Sequence, residues 1–312
     1  MRFLVQAAPT ATRSLLAFSV SPRRRPGFAT TVPHHRRNMT AAPAGPTPQQ
    51  AKANGDKTEI KILMLHGYTQ SGSLFRAKTR ALEKLLVKLL APSALLPTLI
   101  YATGPNRLLP SDIPGYQQPP SAGSEGGTLS DEAPPPPPDA WAWWRKDDAT
   151  GTYRFFDEGM AAVAAAIRDA GGVDAVCGFS QGGAVTGVVA AALETGREAP
   201  DGPQGDWVHA LREANGERAL RFAVSYSGFY APVERLAFCY EPKIETPTLH
   251  YIGSLDTVVD ESRSQALVDR CVDPVVIVHP GGHHVPVSKE WAMPFAGFIK
   301  QHATLPQPKP GL

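Results

Sequence analysis

Three residues in this chain have the types and the order that nucleophilic catalysis requires. Ser180 lies in the stretch Gly-Phe-Ser-Gln-Gly, Asp256 comes later in the chain, and His283 follows a pair of glycines. A serine hydroxyl is a poor nucleophile near neutral pH, so it needs a base within hydrogen-bond reach and an acid that orients the base. We therefore expect Ser180 to attack a carbonyl carbon, with His283 as the base and Asp256 as the orienting acid.

The residues around Ser180 predict the strained turn that such a serine needs. The apolar run over 173–179 is typical of a buried strand, and the small residues over 181–193 predict a helix. Gly178 and Gly182 let neighbouring backbone approach without a clash at Cβ. The bare Gly-x-Ser-x-Gly pattern also occurs in ordinary turns, but the flanking strand and helix favour an exposed nucleophile at the start of the helix.

Asp256 and His283 each follow a further predicted strand. Those strands cover 247–252 and 274–278. Because the carboxyl ends of parallel strands meet at one edge of a sheet, both side chains should reach the region of Ser180. The chain order Ser, Asp, His is that of the α/β hydrolases.

Other aspartates and histidines compete for these roles. Asp260 is better explained as the N-cap of the following helix. His284 stays an alternative to His283 on the residues alone, because both follow the same glycine pair. A metal site is not predicted, since this histidine pair has no carboxylate at ligand spacing. Three further histidines are expected to be structural: His66 at a turn, His250 within a strand and His279 at a strand end.

The negative charge that develops on a substrate carbonyl needs two backbone N–H donors. Gln181, directly after the serine, should supply one. Tyr68, in the turn after the first strand, should supply the other. The alternative for this second segment is that His66 and Gly67 only form a tight turn.

Strands alternate with helices through the rest of the chain, which predicts a doubly wound, mostly parallel sheet flanked by helices. The predicted strands cover 60–65, 95–101, 173–179, 220–226, 247–252 and 274–278. The predicted helices cover 73–90, 156–170, 181–193, 207–214, 260–271 and 288–302.

Composition divides the chain into one domain with three additions. The domain covers 57–304, a proline-rich insert covers 103–140, and a short proline-containing tail covers 305–312. The insert should be a long surface loop and a potential lid, with Trp143 and Trp144 after its end as candidate substrate contacts. Residues 1–56 carry seven arginines and no acid before Asp56, which is typical of a mitochondrial transit peptide; the alternative is a start at Met39.

Charge and cysteine content exclude several classes of protein. The formal net charge is +2, which does not favour a nucleic-acid partner. The three cysteines form no pair at close spacing, which fits a reducing compartment. No apolar run reaches the roughly 18 residues of a transmembrane helix.

Four stretches together resemble the fungal serine hydrolase (FSH) family: Leu-His-Gly-Tyr-Thr-Gln over 65–70, the Gly-x-Ser-x-Gly, Gly-Ser-Leu-Asp over 253–256, and His-Pro-Gly-Gly-His-His-Val-Pro over 279–286. The resemblance covers about 59–302. It implies a carboxylic-ester hydrolase of the cytosol and nucleus, some of whose relatives release acyl or polyketide chains from biosynthetic enzymes. It also implies that the first histidine after the glycine pair, His283, is the catalytic one.

The sequence therefore predicts a serine esterase with the α/β-hydrolase fold that needs no cofactor and takes a small-molecule ester. The first alternative is an acyl-thioesterase that acts on a carrier-bound chain. The second is a catalytically silent binding module on the same fold. The sequence leaves the physiological substrate, the acyl chain length and the oligomeric state open.

Overall fold

A computed structural model describes residues 57–115 and 138–303 of the chain. Within these residues the strands are β1 (Thr58–Leu65), β2 (Leu95–Ala102), β3 (Asn106–Arg107), β4 (Trp141–Ala142), β5 (Arg145–Lys146), β6 (Tyr153–Arg154), β7 (Ala175–Phe179), β8 (Phe222–Tyr226), β9 (Thr248–Gly253) and β10 (Val275–His279). The helices are α1 (Gly72–Leu90), α2 (Phe156–Asp169), α3 (Gln181–Ala192), α4 (Asp206–Ala214), α5 (Glu261–Val268) and α6 (Lys289–Ala303).

Six of these strands form one sheet in the order β10-β9-β8-β7-β1-β2. Every neighbouring pair in it is parallel. The chain leaves β1 for β2 on one side and then returns to β7 on the other, so the strand order reverses beside β1. Ligands of open parallel sheets bind beyond the carboxyl ends at such a reversal. The turns after β1 and β7 meet at this point, and they carry Tyr68 and Ser180.

Helices cover both faces of the sheet and form two hydrophobic cores with it. Residues of α1 and α6 pack on one face, with Phe75, Leu82, Phe295 and Ile299 fully or almost fully buried. Residues of α2, α3 and α4 pack on the other face. Every residue of α3 is buried, as expected of a helix that is apolar on all sides. The predicted α/β-hydrolase fold is confirmed.

The predicted helices and strands of the main sheet are present, and most of their ends differ by one or two residues. The largest difference is at α5, which ends at Val268 and not at 271. The chain turns there because the backbone at Cys271 pairs with Ile244 in an isolated parallel β-bridge. The Val272 N–H donates to the Ile244 carbonyl at 2.8 Å. Pairing with a distant segment therefore ends the helix before its sequence pattern does.

The two ends of the insert pair as a short antiparallel sheet, where the sequence predicts only a surface loop. β3, just after the insert begins, pairs antiparallel with β4, just after it ends. Leu108 between them is buried against Ala140 and Ala142. β5 and β6 form a second short hairpin that the sequence analysis missed, because two-residue strands give no periodicity. Residues 1–56, 116–137 and 304–312 lie outside the described part of the chain.

None of the helices in the described part of the chain has the length and apolar character that crossing a bilayer requires.

Candidate active site

Ser180 occupies a strained turn between β7 and α3. Its backbone has φ 54° and ψ −116°, a combination that non-glycine residues rarely adopt. The Ser180 N–H donates to the Tyr226 carbonyl of the neighbouring strand at 2.8 Å, which helps to hold the residue in place. The turn places the serine at the N-terminus of α3, where the helix dipole favours negative charge.

The glycines on either side of the serine are needed for space. A Cβ on Gly178 would lie 2.1 Å from the Gly182 carbonyl oxygen, and a Cβ on Gly182 would lie 2.1 Å from the Leu65 carbonyl oxygen. Both obstacles are backbone atoms, which cannot rotate away as a side chain can. The turns after β1 and β7 can therefore approach each other only with glycine at position 182.

We expect Gly182→Ala to lower the free energy of unfolding by about 1–3 kcal/mol, because the added methyl overpacks a backbone contact. Gly297→Ala is the matched control, since Gly297 also lies in a helix and a Cβ there meets nothing within 4 Å. Alanine is the better helix former by about 1 kcal/mol, so the control should be as stable as the wild type or more so. Urea denaturation of both variants measures the difference, and equal stability would show that the turn can expand.

His283 hydrogen-bonds to both Ser180 and Asp256. Its Nδ1 lies 2.7 Å from Asp256 Oδ2, and its Nε2 lies 2.9 Å from Ser180 Oγ. A carboxylate can only accept, so Nδ1–H donates to Asp256, and in the neutral form of the ring this tautomer leaves Nε2 to accept from the serine hydroxyl. This arrangement can remove the hydroxyl proton as Oγ attacks a carbonyl carbon.

The loops after β9 and β10 are joined by their backbones, which holds Asp256 and His283 together. The Ser254 N–H donates to the His279 carbonyl at 2.9 Å, and the Leu255 N–H donates to the Gly281 carbonyl at 3.1 Å. A Cβ on Gly253 would lie 2.6 Å from the Gly281 carbonyl oxygen, so this approach requires glycine as well.

Asp256 is held in its ionised form. Burial alone would raise the pKa of its carboxyl, but the hydrogen bonds from His283 and from the backbone of Val259 and Val258 together keep the pKa below its usual value. The two backbone N–H groups each donate to Oδ1 at 2.9 Å. The carboxylate is therefore negative and fixed in orientation near neutral pH, as an orienting acid must be.

The aspartate and histidines that competed with Asp256 and His283 make no hydrogen bond to Ser180 in the described part of the chain. Asp260 caps α5, with its side chain accepting from the Arg263 N–H. His284 is exposed, and its ring lies 5.3 Å from that of His279, centroid to centroid. His250 is buried in β9, and burial lowers its pKa to about 4. Among the described residues, no three His, Cys, Asp or Glu side chains are grouped so as to hold a metal ion.

Tyr68 and Gln181 both line the space in front of Ser180. Within the described part of the chain, neither backbone N–H has a hydrogen-bond acceptor. Two free donors beside a nucleophile are what an oxyanion requires.

His66 fixes the turn that carries Tyr68, as expected for a structural histidine. Its Nδ1 lies 2.8 Å from the Gly67 carbonyl oxygen, and its Nε2 accepts from the Gly104 N–H at 2.9 Å. Burial lowers the pKa of His66 to about 4, so the ring is neutral and can make both bonds.

The side chain of Gln181 has a structural role that the sequence analysis missed. Its Oε1 accepts from the Trp143 N–H, and its Nε2 donates to the Trp144 carbonyl, both at 2.9 Å. Trp143 in turn donates from Nε1 to the His66 carbonyl at 2.9 Å. These bonds join the segment after the insert to the turns after β1 and β7.

A cavity of about 740 Å³, the main cavity, opens in front of Ser180. Trp144 lines it and stacks on Tyr153 with 4.9 Å between ring centroids. Trp143 is not among the residues that line it, and its indole N–H donates to the His66 carbonyl instead. Of the two tryptophans expected to contact substrate, Trp144 lines this cavity and Trp143 does not.

One family model and several known proteins match this chain. The family model described as "Serine hydrolase (FSH1)" matches residues 56–295. The chain is 29% identical to Esterase OVCA2 of Danio rerio over 252 residues, which are 78% of this chain and 97% of that protein. It is 30% identical to a protein named dihydrofolate reductase from Schizosaccharomyces pombe over 227 residues, 73% of this chain but only 44% of that protein. The solved structure of Arabidopsis thaliana SOBER1 is similar with a TM-score of 0.47 and 18% identity, over 79% of this chain and 100% of that one.

Proposed function

Because the chain belongs to the FSH1 serine hydrolase family, we propose that it cleaves carboxylic esters through an acyl-enzyme formed on Ser180. The observation that carries the proposal is the continuous hydrogen-bonded series from Asp256 through His283 to Ser180, which ends at the main cavity. A serine that served only in packing would not need a histidine nitrogen 2.9 Å from its hydroxyl and a carboxylate 2.7 Å behind that ring.

The first half of the reaction forms the acyl-enzyme. Ser180 Oγ bonds to the carbonyl carbon of the ester, and its proton passes to His283 Nε2. The negative charge on the carbonyl oxygen is stabilised by the N–H groups of Tyr68 and Gln181 and by the N-terminus of α3. The bond from carbon to the leaving oxygen then breaks, and the proton on Nε2 passes to that oxygen, so the alcohol departs neutral.

The second half uses the same groups with water as the nucleophile. His283 takes a proton from water, the hydroxyl bonds to the acyl carbon, and the proton returns to Ser180 Oγ as the carboxylic acid leaves. Asp256 stays ionised throughout and stabilises the imidazolium that forms in each half.

The acyl chain of the substrate occupies the main cavity. Apart from the charged groups at its border, this cavity is lined by aromatic and aliphatic side chains, among them Trp144, Tyr153, Phe229, Tyr230 and Val259. Such a lining favours hydrocarbon over polar groups, because each buried methylene contributes about 0.8 kcal/mol.

We expect the protein to hydrolyse p-nitrophenyl esters, with kcat/KM rising about fourfold per added methylene until the cavity is filled. A series from acetyl to dodecanoyl esters, run beside thioesters of the same acyl groups, measures this. If the protein turned over only the thioesters, its substrate would be an acyl-thioester and not an ester. A folded protein that turns over neither series would be a binding module.

A further inference from the structure

A second cavity, of about 300 Å³, adjoins His283. His283 lines it, whereas Ser180 lines the main cavity, and no residue lines both. The 2.9 Å bond between Nε2 and Oγ therefore joins the walls of two separate spaces. The other residues that line this second cavity are Gln70, Phe75, Lys78, Phe179, His284 and Val285.

The geometry of the reaction assigns different parts of an ester to the two spaces. The tetrahedral carbon carries Oγ, the oxyanion, the acyl chain and the leaving oxygen. The oxyanion must face Tyr68 and Gln181, which both line the main cavity. The leaving oxygen must lie near the histidine that protonates it. That histidine lines the second cavity, so the leaving group extends there.

Gln70 gives the second cavity a polar recognition group. The residue is only 8% exposed, and its Oε1 has no hydrogen-bond partner among the described residues. Burying an unpaired polar atom is destabilising, and Gln70 borders the cavity, so its terminal amide can relieve this cost by turning to pair with a ligand there. The terminal amide can donate or accept, depending on how it is turned, and a hydroxyl group satisfies either orientation.

The position of Gln70 does not depend on its side chain. Its N–H donates to the Gly67 carbonyl at 3.2 Å, and its carbonyl accepts from the Trp141 N–H at 3.0 Å. These backbone bonds fix the residue between the turn after β1 and the segment that follows the insert. Phe75, Phe179 and Val285 form the apolar part of the wall, and the exposed side chains of Lys78 and His284 also line the space.

We propose that the second cavity is the leaving-group subsite and that Gln70 binds a hydroxyl group on the departing alcohol. The preferred substrates are then esters of a small polyol, with the acyl chain in the main cavity. This inference rests on the proposed ester hydrolysis, and it adds the class of alcohol that is released.

The test compares glyceryl monobutyrate with propyl butyrate, which share an acyl group and a three-carbon leaving group. Both pass through the same acyl-enzyme, so kcat/KM reports only the steps up to release of the alcohol. We expect Gln70→Leu to lower the ratio of kcat/KM for the glyceryl ester to that for the propyl ester about fivefold, the effect of losing one hydrogen bond. Gln301→Leu is the matched control, because Gln301 is exposed and lines neither cavity.

Thermal stability distinguishes recognition from a structural role. Since Gln70 Oε1 has no partner in the described structure, Gln70→Leu should melt no lower than the wild type. A lower melting temperature with an unchanged ratio would assign Gln70 to folding and overturn the proposal. An unchanged ratio with normal stability, in a protein that still hydrolyses both esters, would overturn the leaving-group assignment alone. Hydrolysis of neither ester by the folded wild type would overturn the proposed function and this inference together.

Discussion

We expect Ser180→Ala and His283→Ala each to lower kcat for ester hydrolysis by about 10⁴- to 10⁶-fold, and the double variant to be no worse than either. The reason is that the hydroxyl is a nucleophile only while Nε2 can take its proton, so removing either group removes the same step. The 2.9 Å bond between these atoms makes them one unit. Steady-state kinetics on a p-nitrophenyl ester, with single and double variants side by side, measures the effect.

His284→Ala and His209→Ala are the controls for this result. The exposed His284 ring bonds neither Ser180 nor Asp256 in the structure, so its removal should change kcat by less than about tenfold. His209 is exposed on α4 and lines neither cavity, so its variant tests for effects of losing any histidine. An inactive His284→Ala beside an active His283→Ala would reverse the assignment of the base. Additive losses in the Ser180 and His283 double variant would mean that the two residues act separately.

The second large effect is expected for Asp256→Asn, which should lower kcat by about 10⁴-fold. An asparagine can donate to Nδ1 where aspartate only accepts, so the imidazole proton would move to Nε2. His283 could then no longer accept the serine proton. The asparagine oxygen can still accept from Val258 and Val259, so the loop should stay folded.

Asp260→Asn is the matched control for that substitution. Asp260 lies four residues away on the same loop and caps α5. Asparagine is nearly as good an N-cap as aspartate, so the variant should lose at most about 1 kcal/mol of stability and keep its kcat. Circular dichroism melts and kinetics on both variants separate the two roles. A large loss of kcat in Asp260→Asn with normal activity in Asp256→Asn would reassign the acid.

Much of the fold could be predicted because local patterns and the final structure agree. The apolar run before Ser180 and the small residues after it predict a strand, a turn and a helix, and the structure has β7 and α3 there. The same agreement holds for the strands before Asp256 and His283. Their side chains come together because parallel strands end at one edge, which is a consequence of topology more than of any single residue.

The remaining features depend on contacts between distant segments, which no local pattern encodes. Gln181 bonds to Trp143 and Trp144, 38 and 37 residues earlier in the chain, so its side-chain role is visible only in three dimensions. The direction of the His283 ring is set by the path of the glycine pair before it, and glycine torsions are the least restricted of all. Gln70 gave no signal either, because an unpaired amide is recognised only once its surroundings are known.

Labelling with a fluorophosphonate probe, followed by peptide mass spectrometry, tests the central claim most directly. The probe phosphonylates a serine, with loss of fluoride, only when a neighbouring base activates the hydroxyl and the oxyanion donors are in place. We predict one adduct on the wild-type protein, located on Ser180, and no adduct on a folded Ser180→Ala variant. An unlabelled wild type, or an adduct that persists on another serine in Ser180→Ala, would contradict the assignment of Ser180 as the nucleophile.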